Sequence, residues 1–193
     1  MTQLWLVRHG QTDWNLQGRY QGQADPPLNE NGVRQAQAVA EQLAGHHFEA
    51  IYSSDLRRAY DTALAIASRL EMEVTVVPGL REVNQGAWEG MLSVDIQAQY
   101  PDVWAWRERD PLHARPPGGE SLHEVAQRVW AAVDEIVAQA AGGPLLIVSH
   151  GLALATLICR ANQYPLIEAF NKIPDNARPH IIDWQVPEFV RRE

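Results

Sequence analysis

The apolar run Leu4-Trp5-Leu6-Val7 stops abruptly at Arg8-His9-Gly10. This is the pattern of a buried strand that delivers polar side chains at its carboxyl end. In open α/β sheets that end is where ligands bind. Gly10 lets the backbone turn sharply and approach a ligand. Arg8, His9, Thr12 and Asn15 bring a fixed cation, a nucleophile or base, and two neutral polar groups. The set suits an oxyanion such as phosphate, but these residues alone would equally suit a strand end with an incidental surface Arg-His pair.

The rest of the chain alternates strand and helix. Residues 3–7 form the first predicted strand, and 11–28, with Gly18, Gly22, Pro26 and Pro27, read as a long loop of the kind that carries function. Asn29 caps a predicted helix to about residue 44, with Val33, Ala36, Val39, Ala40 and Leu43 on one face. A short strand at 50–53 follows, then a helix opened by Ser54 or Asp55 and running to about 70, then a strand at 74–77. This β-α-β-α-β order predicts parallel strands joined by helical crossovers. Residues 80–90 read as a polar loop, and Ser93 caps a short helix to Tyr100. Residues 102–119 pack Trp104, Trp106, Arg107, Arg109, His113 and Arg115 among prolines and glycines. The expectation is an insertion lying across the sheet, a lid spanning about 88–117 within a single domain, 1–193. Ser121-Leu122-His123-Glu124 is a capping-box pattern that opens a long helix. A strand at 145–148 ends in Ser149-His150-Gly151, a helix covers 152–162, and 181–186 read as an antiparallel edge strand. The predicted fold class is α/β, a three-layer α/β/α sandwich with a mostly parallel central sheet.

Charge narrows the partners. The 193 residues carry a formal net charge of −8, which argues against nucleic acid, whose binding draws on clustered cations. An anion site here is therefore a local exception. Cys159 is the only cysteine, so no internal disulfide is expected, and without a charged-then-apolar leader the expected setting is cytoplasmic. The longest apolar stretch, 145–159, is interrupted by Ser149-His150-Gly151, so no membrane partner is expected.

Three predicted strands end in polar groups: Arg8-His9-Gly10, Ser53-Ser54-Asp55-Leu56-Arg57-Arg58 and Ser149-His150-Gly151. Adjacent parallel strands would gather these ends at one sheet edge, with Glu82 of the Leu80-Arg81-Glu82 loop nearby. Together with Thr62-Ala63, Gly86, Trp88-Glu89-Gly90 and Gly118-Gly119-Glu120-Ser121, these motifs resemble the histidine phosphatase superfamily in its phosphoglycerate-mutase-like branch. The likeness runs from Leu4 to Asn162 in the right order. It implies a three-layer fold and a phosphohistidine intermediate, with His9 as nucleophile, Arg8, Arg58 and His150 as catalytic partners, and Glu82 as proton donor. It also separates two arginines, since Arg58 matches the phosphate-binding position whereas Arg57 falls where the family varies. Asn15, Thr12, Gln21, Gly22 and Gly151 are assigned to substrate binding, with capping of the local backbone as the alternative for Thr12. Glycine after His150 excludes the acid-phosphatase branch, and Gln23 stands where relatives often place tryptophan.

In chemical terms, a neutral His9 nitrogen can attack phosphorus while the arginines stabilise the non-bridging oxygens. Glu82 must bring a proton to the leaving alkoxide. If it did not, it would be expected in a surface salt bridge with Arg81. The scheme needs no metal and no cofactor. Arg107, Arg109 and Arg115 could meet a second anionic group on the substrate or be solvated charges, and Trp104, Trp106 and Trp130 read as core or lid. Mutases of this resemblance carry a longer segment between the catalytic glutamate and the second histidine, so the compact segment here favours a phosphomonoester hydrolase over the mutase alternative. A non-catalytic module on the same fold is disfavoured by the complete set of five catalytic groups. The expected partner is a small phosphomonoester. The resemblance allows sugar phosphates, phosphoserine, glucosyl-3-phosphoglycerate or α-ribazole phosphate, chosen by residues 88–117 and the tail from Asn171. A homodimer stays open.

Overall fold

The computed structural model describes residues 1–186. Five strands, β1 (Thr2–Arg8), β2 (Ala50–Ser53), β3 (Val74–Val76), β4 (Leu145–Ser149) and β5 (Pro179–Trp184), form one sheet in the order β3-β2-β4-β1-β5. All neighbours are parallel except β5, which runs antiparallel along the β1 edge. The edge strand begins earlier than the 181–186 predicted for it.

Alternation along the strands divides the core. Leu4, Leu6, Leu145 and Ile147 point to one face, where α6 (Leu122–Gln139) and α7 (Gly151–Ala161) bury their apolar stripes. Val7, Ile51, Leu146 and Val148 point to the other, covered by α2 (Glu30–Leu43) and α3 (Arg57–Leu70). Such a period of two is what places both faces of one strand in separate layers. The three-layer α/β/α sandwich follows from it. Asp134 of α6 ties the edge strand down, accepting from Arg160 at 3.0 Å and from the Trp184 indole at 2.9 Å.

Several local expectations need correction. Val33, placed on the buried face of α2, is 45% exposed, while Gly32, Ala36, Val39, Ala40 and Leu43 are buried. The loop 11–28 contains a short helix, α1 (Asp13–Gln17), capped reciprocally by Thr12 and Asn15. Neither Ser54 nor Asp55 caps α3, whose N-cap position is held by Leu56 with no side-chain bond. Their side chains are spent elsewhere: Ser54 meets His150, and Asp55 receives the Arg81 fork. In the middle segment, α4 (Ser93–Gln99) starts after Leu92, so Ser93 is its first helical residue, and α5 (Pro101–Arg109) makes part of the irregular 102–119 stretch helical. Proline at the first helical position suits α5, since it has no N–H to leave unpaired. Among the described residues, no helix is long and apolar enough to cross a membrane. The tail after Asn171 is described to residue 186, and 187–193 lie outside the described residues.

Candidate active site

Strand β4 lies between β1 and β2, and its backbone sets the three predicted strand ends side by side. Arg8 registers with Ser149, the His9 amide donates to the Ser149 carbonyl at 3.0 Å, and the Ser54 amide donates to the Val148 carbonyl at 3.1 Å. His9 and His150 thereby stand with ring centroids 5.3 Å apart. Gly10 is required just after His9 because a Cβ there would overlap the Gly32 carbonyl at the start of α2.

The partners of His9 define its protonation. Nδ1 lies 2.6 Å from the Gly10 carbonyl, which can only accept, so Nδ1 carries the hydrogen. Nε2 faces the Arg58 Nε–H at 3.2 Å and must be the lone pair. Burial, and then the charges of Arg58 and Arg8, hold the His9 pKa well below its usual value against the opposing bond to Gly10. The ring is therefore neutral, with its nucleophilic nitrogen turned to a cation that would share a bound oxyanion. His150 is likewise held low, first by burial and then by Arg58, and its Nε2 lies 2.8 Å from the Ser54 hydroxyl. Of the buried side-chain nitrogens without a partner among the described residues, two are Arg8 Nε and His150 Nδ1.

Arg58 is completely buried, and its remaining nitrogens donate to the carbonyls of Ala24 at 2.7 Å and Gly22 at 2.8 Å. Burial lowers its pKa to about 10, partly offset by Glu82 and Asp25, which leaves it charged at neutral pH. Arg57 points out, 65% exposed and paired with Asp61 at 3.4 Å. Arg8 donates to the Pro174 carbonyl at 3.1 Å, and burial lowers its pKa.

Glu82 is not paired with Arg81, whose partner is Asp55. Its carboxylate sits on the N-terminus of α7, accepting from the amides of Leu152 at 3.0 Å and Ala153 at 3.1 Å, and from its neighbour Val83 at 3.0 Å. Helix N-termini favour such acceptors. A cleft of about 260 Å³ is lined by Arg8, His9, Arg58 and Glu82, and also by Asn15, Gln21, Gly22 and Gly151. Asn15 spends its Oδ1 on Thr12, leaving its amide hydrogens for the cleft. Thr12 does not reach the cleft lining: its buried hydroxyl is committed to the capping box and to Gln21 Oε1 at 3.0 Å. His150 lies behind the lining, fully buried.

The structure adds residues that the sequence reading missed. Arg19, Tyr20, Gln85 and Phe170 line the cleft, joined by Ile173 from the tail after Asn171 that the sequence assigns to substrate choice. Arg107, left between two readings, also lines it. Its guanidinium stands 5.8 Å from the Tyr20 ring centroid, 5.0 Å from Trp104 and 5.6 Å from Phe170, and it donates to the Tyr20 hydroxyl at 3.1 Å. Basic and aromatic residues in the middle segment were the available signal for Arg107. Nothing local announces Phe170.

A strand-end histidine held neutral by burial and by the charges of buried Arg58 and half-buried Arg8, opposite a second histidine and a carboxylate, defines a phosphoryl-transfer centre. The chain belongs to the histidine phosphatase superfamily (branch 1), whose family model matches residues 4–191. It is 35% identical over 182 residues to phosphoserine phosphatase 1 of Hydrogenobacter thermophilus, covering 94% of this chain and 86% of that protein. It is 41% identical over 161 residues to a protein of Yersinia pestis named as a probable phosphoglycerate mutase, covering 82% of this chain and 74% of that one. Among solved structures, a mycobacterial glucosyl-3-phosphoglycerate phosphatase superposes with a TM-score of 0.82 at 38% identity, covering 94% of this chain and 90% of that one. The phosphatases among these relatives support a phosphatase over a mutase.

Proposed function

We propose that this chain hydrolyses phosphomonoesters of small metabolites through a covalent phosphohistidine on His9. The observation that carries the reading is the His9 ring itself, with Nδ1 fixed on Gly10 and an unprotonated Nε2 accepting from buried Arg58. Nε2 attacks phosphorus as the bond to the leaving oxygen breaks, and Arg8, Arg58 and Asn15 hold the non-bridging oxygens. Glu82 gives its proton to the departing oxygen. Water, deprotonated by Glu82, then attacks the phosphohistidine and releases phosphate. The compact segment between Glu82 and His150 supports water as acceptor rather than a retained product. Incubation with 3-phosphoglycerate and 2,3-bisphosphoglycerate tests that point: release of inorganic phosphate is expected, and conversion to 2-phosphoglycerate would favour the mutase.

Glu82→Gln is expected to slow alkyl phosphates by about 10²–10⁴-fold, the usual size of a general-acid contribution. Aryl phosphates, whose leaving oxide departs with little protonation, should lose far less. Equal losses on both substrate types would remove Glu82 from the role.

Arg107 supports a substrate with a second anionic group. The cleft is lined by four arginines, Arg8, Arg19, Arg58 and Arg107, against one carboxylate, Glu82, and the reacting phosphate uses two of the four. Arg107→Gln should therefore lower kcat/KM for O-phosphoserine by about 10–100-fold, the worth of a charged hydrogen bond, and leave O-phosphoethanolamine nearly unchanged. A parallel fall on both would assign Arg107 to lid packing. The region 88–117, with α4 and α5, is the proposed lid.

A further inference from the structure

Glu82 lies in a loop, so no helix or strand ladder fixes its backbone. What holds it comes from α6. Arg128 has five N–H donors, and each has an acceptor. Nε donates to Glu120 Oε1 at 2.9 Å, and Nη1 donates to the carbonyls of Gly79 at 3.0 Å and Arg81 at 2.9 Å. Nη2 donates to the Glu82 carbonyl at 3.2 Å and to Glu120 Oε2 at 2.7 Å. Glu120 completes the brace on the other side of Glu82, accepting from the Asn84 amide at 2.9 Å and donating its own amide to the Asn84 carbonyl at 2.8 Å. Gln23, where relatives often carry tryptophan, adds a bond from Nε2 to the Glu82 carbonyl at 3.2 Å.

We propose that Arg128 and Glu120 are positioning residues that hold Glu82 for proton delivery. The proposal rests on Glu82 being the general acid. Neither brace residue lines the cleft that holds His9 and Glu82; Glu120 borders only a small adjoining pocket of about 30 Å³. The carboxyl end of Glu82 shows why position matters. Oε1 already accepts two amides, those of Val83 and Ala153, while Oε2 accepts only that of Leu152. Oε2 is thus the oxygen with room for the transferable proton. The brace fixes the backbone and α7 fixes the carboxylate, so Oε2 is aimed from both ends. A displacement of about 1 Å can cost about 10²-fold in such a geometry. Lysine at 128 could supply at most three of the five bonds and lacks the planar fork.

The test compares an alkyl and an aryl phosphate on Arg128→Gln, Arg128→Lys and Glu120→Gln, assayed well below each variant's Tm. Arg128→Gln should lose tenfold or more in kcat on O-phosphoethanolamine and less than threefold on 4-nitrophenyl phosphate, with Arg128→Lys and Glu120→Gln intermediate. Placed in the Glu82→Gln background, Arg128→Gln should add no further leaving-group selectivity, because it acts through Glu82. Equal losses on both substrates in the foldable variants, or additive selectivity in the double variant, would overturn the proposal while leaving Glu82 as the acid. A Glu82→Gln enzyme with no selectivity would instead bring down the general-acid reading, and the positioning role with it. If Arg128→Gln does not fold, Arg128→Lys and Glu120→Gln decide.

Discussion

Replacing His9 by alanine is expected to abolish turnover, lowering kcat by at least about 10⁴-fold, in the range found when a nucleophile is removed from a covalent mechanism. The fold should survive. The backbone around position 9 is held by groups that the substitution leaves in place: the Ser149 carbonyl on the His9 amide, the Asn176 side chain on the His9 carbonyl at 2.7 Å, and Thr62 on the Gly10 amide at 3.0 Å. Quenched wild-type enzyme should carry an acid-labile, base-stable phosphoryl group, and the alanine variant none. A label persisting on the variant would move the nucleophile to another residue. Because burial and two arginines hold His9 well below the usual histidine pKa, its lone pair stays available across the neutral range.

The parts of this fold that could be read from sequence are those where one local signal settles the structure. Apolar runs ending in His-Gly located the ends of β1 and β4. The Asn29 cap of α2 and the Ser121-Glu124 box of α6 appear as expected, because each satisfies amides that no other group competes for. The misses occur where tertiary partners outbid local ones. Ser54 and Asp55 are good cap residues, yet Arg81, distant in sequence, claims the Asp55 carboxylate, and the Ser54 hydroxyl meets His150 while accepting only the Leu56 amide ahead of the helix. Thr12 and Asn15 cap a single short turn with asparagine in place of the usual Glu or Gln, a weak local signal that leaves Thr12 poised between a phosphate donor and the cap it proves to be. Arg57 and Arg58 carry identical side chains, and only their angular positions on α3 decide which one is buried. The resemblance distinguished them, whereas the chemistry of the residues could not. The brace on Glu82 was invisible because three of the five Arg128 bonds join α6 to carbonyls of a loop more than forty residues away.

That difference between neighbours yields the second large effect. Arg58→Ala should lower kcat/KM by about 10²–10³-fold, or about 2.7–4 kcal/mol, as for loss of a preorganised donor to a developing charge. Arg57→Ala, which breaks only an exposed pair with Asp61 worth at most about 1 kcal/mol of stability, should stay within about twofold. Arg58 has a second task, for its terminal nitrogens hold the Gly22 and Ala24 carbonyls, and alanine would release the loop that carries Gln21. Arg58→Lys separates the two tasks. It restores a charge near His9 but not the fork, so it should recover part of the rate and remain well below wild type. The pH profile gives an independent check. Arg58 is the largest charged cause, after burial, of the depressed His9 pKa. Removing it must raise that pKa, so protonated and inactive His9 should appear at higher pH in Arg58→Ala than in wild type, moving the acid limb of kcat/KM upward. In Arg58→Lys the limb should move less. If the limb does not move in Arg58→Ala, or Arg57→Ala loses as much rate, Arg58 is not the cation that faces the nucleophile.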